Sequence, residues 1–92
     1  MFNTLEWDGI VHNEKTRRGD EIMRVSKKGN IRIVYRRGAV QGKYAVEHKT
    51  QEGYWDHFST AYMSSDFLSE AERNCSHLID EPLNVIHDYM PI

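Results

Sequence analysis

The residues from Ile31 to Arg37 (Ile-Arg-Ile-Val-Tyr-Arg-Arg) constrain the fold of this chain more than any other stretch. Ile31, Ile33 and Tyr35 fall on one parity, and Arg32, Val34 and Arg36 on the other. Alternation with period two is the pattern of a strand with one face in a core and the other toward water. Here the outward parity carries arginine, so the strand also sets the character of the surface that the chain presents.

The flanking residues turn that strand into a sheet. Between Asp20 and Lys27, Met23 and Val25 alternate against Arg24 and Ser26, and Lys28-Gly29-Asn30 supplies a turn, since Gly and Asn tolerate positive φ. A three-residue loop pairs Val25 with Ile33 and Met23 with Tyr35, and groups Arg24, Arg32 and Arg36 on the outer face. A slip of one residue would mix the two faces. Downstream, Gly38-Ala39-Val40-Gln41 leads into a strand over 42–49. Pairing Tyr35 with Tyr44 and Ile33 with Val46 sets Arg36 opposite Lys43 and Arg32 opposite Glu47. Gln51-Glu52-Gly53 then fits a hairpin whose last residue is left-handed. The strand that follows, over 54–63, pairs His48 with Asp56, Val46 with Phe58 and Tyr44 with Thr60, bringing Trp55 and His57 to the arginine side. A first strand over 5–12 places Leu5, Trp7 and Val11 on one parity but is weakened by Gly9. Residues 13–19 read as an exposed loop.

After the sheet the period changes. Phe67, Leu68, Ala71, Cys75, Leu78 and Ile79 recur at three and four, one stripe of a helix over about 65–80. Ser69-Glu70-Ala71-Glu72 has the capping-box pattern, Ser65-Asp66 offers a start one turn earlier, and Pro82 ends the helix. The tail over 83–92 is apolar, with Val85, Ile86, Tyr89 and Met90. It is expected to fold back as an edge strand or cap, or to form a homodimer contact. The expected architecture is one small α+β domain over 1–92, an antiparallel β-meander of four to five strands with one α-helix packed on one face.

Composition bounds the class. A chain of 92 residues with 39% hydrophobic and 28% charged residues is an ordinary small folded domain. Apolar runs reach only three residues, such as Ile33-Val34-Tyr35, which predicts no membrane span, and the N-terminus lacks a secretory layout. The single Cys75 leaves no intramolecular disulfide and no paired-cysteine zinc motif, so a reducing cytoplasm is the expected location.

The net charge of −2 hides a division. Residues 1–49 carry eleven basic and six acidic groups, whereas residues 50–92 carry one basic and eight acidic groups. Such asymmetry speaks of partners and fields. Its simplest meaning is that the two halves neutralise one another across the fold.

Chemistry is searched for and not found. His12, His48, His57, His77 and His87 lack metal-ligand spacing. Asp56, His57 and Ser59 are triad types, but alternation sends Asp56 and His57 to opposite faces. His48 beside Asp56 is expected as a hydrogen-bonded pair at the core edge. Cys75 lies on the apolar stripe, where a thiol behaves as a small hydrophobe. No phosphate-binding glycine pattern occurs. No catalytic residue, metal or cofactor is therefore expected. The remaining candidate is a binding face composed of Arg17, Arg18, Arg24, Arg32, Arg36, Arg37, Lys43, Lys49, Trp55 and His57. Like charges facing each other on a sheet are unfavourable, so Arg36 against Lys43 points to an anionic ligand. Arginine beside an aromatic ring suits phosphate contact with stacking. The helix offers a second, acidic surface of Asp66, Glu70, Glu72, Asp80 and Glu81.

Gly42-Lys43-Tyr44-Ala45-Val46-Glu47, a glycine turn, an aromatic strand and the Ser69-Glu70-Ala71-Glu72 helix start together resemble the sheet-then-helix domains that read DNA with a three-stranded sheet, as in the plant AP2 type and integrase arm-binding domains. In size and in lacking catalytic motifs the chain is also similar to small accessory proteins of phages and mobile elements, including anti-CRISPR inhibitors. These resemblances imply a non-enzymatic binding protein in the host cytoplasm. It would be a small inhibitor or regulator occupying a nucleic-acid-handling protein machine, or alternatively a direct DNA- or RNA-binding module. The partner is expected to be a macromolecule and not a membrane.

Overall fold

Four antiparallel strands follow one another in chain order across one sheet: β1 (Glu21–Val25), β2 (Ile31–Tyr35), β3 (Tyr44–Lys49) and β4 (Trp55–Asp56). One helix, α1 (Leu68–Asn74), follows them, giving the expected α+β architecture. The computed structural model describes residues 5–9, 13–56 and 63–83.

The centre of the sheet has the register that alternation requires. Tyr35 faces Tyr44, Ile33 faces Val46, Arg32 faces Glu47 and Ile31 faces His48. The Tyr35 and Tyr44 rings meet at 5.2 Å between centroids. The ladder runs on one step, with the Arg36 N–H donating to the Lys43 carbonyl at 2.7 Å. At the other end the Thr50 N–H donates to the Tyr54 carbonyl at 2.7 Å, and Gly53 closes the turn at φ +93°. That left-handed conformation is strained for any residue with a Cβ. His48 then pairs with Asp56 and Lys49 with Trp55.

Three expectations about register and element length are corrected. First, β1 pairs Arg24 with Ile33 and Val25 with Arg32, with a bulge between Ile22 and Arg24. The expected pairing of Val25 with Ile33 is displaced by one residue. The cause lies in the turn: the Ser26 N–H donates to the Ile31 carbonyl, so four residues and not three connect the strands. The Ser26 hydroxyl accepts from the Asn30 and Ile31 N–H groups, which fixes the longer loop. Arg24 consequently shares the face of Ile33, not that of Arg32. Second, Tyr44 exchanges both backbone hydrogen bonds with Ser65, at 2.8 and 3.0 Å, so Ser65 occupies the place expected for Thr60. The expected pairing of Val46 with Phe58, and the position of His57, lie outside the described residues.

Third, the helix is shorter than expected. It starts at Leu68 with Phe67 as N-cap, between the two starts that the serines suggested, and Ser69 lies inside it. It ends at Asn74, eight residues before Pro82, where the Ser76 hydroxyl donates to the Arg73 carbonyl at 2.8 Å. A side chain that takes a last-turn carbonyl gives the chain an alternative to a further helical turn.

The first expected strand is represented, within residues 5–9, by one antiparallel bridge between Trp7 and Ser26. Asp8 donates to the Val25 carbonyl, and Glu14 accepts from the Ile22 N–H, so both ends of β1's free edge are covered. An edge covered in this way does not template further strands. Leu83, the first residue of the apolar tail, donates to the Lys49 carbonyl and bridges Thr50 in parallel. The rest of the tail lies outside the described residues.

The central positions of both faces of the sheet are buried. On the helix side, Leu5, Ile31, Ile33, Val46, Ala71 and Cys75 form the main core, with Trp7, Tyr44, Met63, Leu68 and Leu78 against it. On the other side Ile22, Val34 and Ala45 form a second cluster with Val25. The expectation of one wet face is therefore corrected, and the second cluster explains why Ile22 and Val25 belong together across the bulge at Met23.

Candidate binding surface

The outer face is organised around a buried carboxylate. Glu47, on β3, is 2% exposed and sits directly across from Arg32. Its two oxygens are held separately, by Arg32 Nε at 2.6 Å and by Arg18 Nη2 at 2.8 Å. Arg18 reaches over the sheet from the loop that precedes β1, where the Thr16 hydroxyl accepts the Asp20 N–H and the Thr16 carbonyl accepts the Gly19 N–H. The Arg32 side chain is 12% exposed, and its guanidinium carbon lies 4.1 Å from the centre of the Trp55 ring. The Lys49 ammonium stands 5.7 Å from the same ring. A buried carboxylate between two guanidiniums is stable only while both oxygens remain satisfied.

This cluster floors a groove of about 590 Å³ between the 14–18 loop and the β3–β4 hairpin. Lys15 and Arg17 line one wall and Tyr54 and Trp55 the other. Tyr54 is 72% exposed, an unusual state for a large ring.

The residues expected to form one basic patch separate into several environments. Arg18 and Arg32 are joined to Glu47. Arg24 lies on the helix side and binds Glu72 through Nε at 3.2 Å, which removes it from the outer face. Arg37 binds Glu21 at 3.2 Å. Trp55 has its ring covered by Arg32, so it supports the sheet more than it offers a stacking platform. Arg17, Arg36 and Lys43 are exposed and make no side-chain ion pair among the described residues. Arg36 and Lys43 are cross-strand neighbours at the far end of the β2–β3 hairpin, as alternation predicted.

The acidic surface is dispersed in the same way. Glu72 is taken by Arg24, and Asp66 accepts the Lys43 backbone N–H at 3.3 Å. Asp80 is bound into the β1–β2 turn by the Lys28 N–H, the Ser26 hydroxyl and both N–H donors of Asn30. Burial alone would raise the Asp80 carboxyl, but these hydrogen bonds outweigh it and hold the group below its ordinary value. The two charged halves of the sequence are thus stitched together in part.

Two further expectations resolve. The His48 ring does not bond Asp56; its Nε2 lies 2.8 Å from the Glu81 carbonyl, and Nδ1 has no partner among the described residues. Burial pushes the Cys75 thiol up to about 12, aided by the charge of Glu72 and opposed by a backbone hydrogen bond. The thiol stays neutral in the core, as its place on the apolar stripe implied. No group of three or more histidine, cysteine or carboxylate side chains able to hold a metal occurs among the described residues. No helix among them is long and apolar enough to cross a membrane.

Among the described residues four large apolar side chains are exposed, Val40, Tyr54, Phe67 and Ile79; the last two are expected on the buried helix stripe, and Ile79 lies beyond the end of α1. Phe67 was assigned to the helix stripe because its spacing fits, yet it falls at the N-cap, where the stripe no longer points inward. Comparison with family models, with curated proteins and with solved structures gives no match for this chain.

Proposed function

We propose that the chain is a non-enzymatic binding protein, an inhibitor or regulator that occupies a nucleic-acid-handling protein in the cytoplasm. The outer-face groove between the 14–18 loop and the β3–β4 hairpin is its primary contact. The observation that carries this reading is the pairing of the arginines. Arg18 and Arg32 already hold Glu47, Arg37 holds Glu21 and Arg24 holds Glu72.

Affinity for a polynucleotide comes mainly from cations that neutralise phosphates and release counterions. An arginine engaged with its own carboxylate adds little to that term. What stands at the groove instead is an exposed Tyr54, a Trp55 braced by Arg32, and the uncommitted Arg17. Tyr, Trp and Arg are the residues that dominate protein–protein hot spots.

The test is recovery of a partner with immobilised protein, followed by identification of the bound species. Wild type should retain one protein, and Tyr54→Ala combined with Arg17→Glu should lose it. A gel shift at low salt with duplex and single-stranded oligonucleotides separates the alternative. A shift that weakens with salt, and that disappears on Arg17→Glu, would replace the protein reading with direct nucleic-acid binding.

A further inference from the structure

The outer-face groove holds more positive charge than its own carboxylates cancel. Lys15, Arg17, Arg18 and Arg32 line it, against Glu14 and Glu47. Glu47 is 2% exposed and both of its oxygens are bonded to guanidiniums, so it presents little negative charge to a group entering the groove. Glu14 is exposed and adjoins Lys15 in the 14–18 loop. Asp20 stands 3.7 Å from Arg18 but does not line the groove. Arg17 and Lys15 are exposed, and neither side chain holds a carboxylate among the described residues. On the opposite wall the Lys49 ammonium, 5.7 Å from the Trp55 ring, adds a further cation.

The floor directs that excess. A guanidinium is a planar fork of five N–H donors. Arg32 is built into the sheet by its Nε, which Glu47 takes, and by one face, which lies over Trp55. Its terminal nitrogens bond no protein group among the described residues, although the side chain is only 12% exposed. A nearly buried guanidinium with donors to spare is a receptor for an anion, because charge–charge contacts strengthen away from bulk water. Glu47 and Trp55 already fix the plane of the fork, so an incoming acceptor does not have to order a long, mobile side chain. Two parallel N–H groups on one edge match the two oxygens of a carboxylate.

We infer that the groove receives an acidic side chain, Asp or Glu, from an extended segment of a partner protein. The carboxylate would bond the terminal nitrogens of Arg32 with Arg17 and Lys15 beside it, and a neighbouring residue of the segment would lie against the exposed Tyr54 ring. This rests on the reading of the groove as a protein contact and adds the chemistry of what enters it. Charge complementarity sets the sign of the partner's group. The spare donors gather in one groove between a loop and a hairpin, which suits a single carboxylate; a polynucleotide gains its affinity from many phosphates along a track of cations.

The probe is a random 12-residue peptide library displayed on phage and selected on the immobilised protein, with the enriched peptides measured by fluorescence polarisation. Each enriched peptide should carry an Asp or Glu whose replacement by the matching amide weakens binding at least tenfold. Arg17→Glu should weaken the acidic peptide by about tenfold or more and change the affinity of its amide counterpart far less. Arg17 makes no ion pair among the described residues, so the melting temperature should stay where it is, which separates a lost contact from a lost fold. Arg36→Ala, outside the groove, should change neither measurement. Enriched peptides that lack an acidic residue, require Tyr54 and tolerate Arg17→Glu would overturn the carboxylate assignment and leave the groove standing as a protein contact. No enrichment would overturn the assignment to an extended segment. Binding of a single-stranded or duplex oligonucleotide that Arg17→Glu abolishes would overturn both.

Discussion

Arg32 lies within β2 and Arg36 just past its end, four positions on in the same alternation, and the fold treats them in opposite ways. Arg32 is 12% exposed, bonded to Glu47 at 2.6 Å and laid over Trp55. Arg36 continues the same ladder onto Lys43, is exposed, and meets no carboxylate among the described residues. In sequence the two residues are equivalent positions of one alternating pattern. In the folded chain one is a component of the interior and the other is available. The middle of the outer face is therefore structure, and its hairpin end is where the chain keeps interactions unspent. A basic patch counted from sequence merges the two.

The sharpest way to test that division is to remove the carboxylate. Glu47→Ala leaves Arg32 nearly buried without its anion and frees Arg18 from the sheet. Breaking a buried pair by deleting one partner costs about 3–5 kcal/mol; solvent around the half-exposed Arg18 puts this case near the lower end. Urea unfolding should show a loss of about 3 kcal/mol. A loss below 1 kcal/mol would mean that the cluster is a surface pair and that the contrast with Arg36 is false.

The next effect concerns the seam between the two charged halves. Asp80 clasps the β1–β2 turn through four donors, from Ser26, Lys28 and Asn30. Asp80→Asn points amide hydrogens at backbone N–H groups and should destabilise by about 1–2 kcal/mol at neutral pH, less than a buried group because water screens the site. The folded-state carboxyl lies below its ordinary value. Its contribution is thus fully present above the unfolded carboxyl's value and is lost as pH falls through the folded one. The variant should accordingly lose less stability than wild type on acidification below about pH 4. Parallel acid profiles for the two proteins would show that the clasp carries no charge.

How much of this was legible before folding depends on whether a residue's partner was set by alternation or by a turn. The β2–β3 register, with Arg32 against Glu47 and Arg36 against Lys43, followed from parity alone. Gly53 marked the next turn for the same reason that any left-handed position favours glycine. The β1–β2 register was missed because Ser26 bonds into the turn and lengthens it by one residue. The adjacent Ile22 and Met23 held the clue, since two apolar residues in succession break alternation where a bulge absorbs one. Arg18 could not have been placed over Glu47 from sequence, because 29 residues and an irregular loop separate them. For the surface, the positions of Arg36 and Lys43 were readable. The exposure of Phe67 was not, because helical spacing alone does not say where a helix begins.

A smaller effect tests the hairpin end itself. Phe67→Ser supplies a hydroxyl for the first turn of α1, whose N-cap has no side-chain bond. Capping gains run to about 0.5–2 kcal/mol, and a seven-residue helix should take the lower part, near 0.5–1 kcal/mol of added stability. Thermal melting should show a rise of a few degrees. A fall would show that the exposed ring supports the fold after all.

The smallest effect is the most direct contrast with Glu47. Arg36→Ala removes one of two facing cations and no ion pair among the described residues. Surface substitutions of this kind lie within about 0.5 kcal/mol of neutral, and relief of repulsion from Lys43 sets the sign as stabilising. Because the charges are exposed, the gain should be largest at low ionic strength and fade by about 1 M salt, where the screening length is roughly 3 Å. The matching substitution Arg32→Ala should destabilise at every salt concentration, since its carboxylate is buried and little screened. If the two variants respond to salt alike, the ends of β2 are electrostatically equivalent and the hairpin end has no special claim as a contact. Opposite signs at low salt would place the spare charge of the sheet at Arg36.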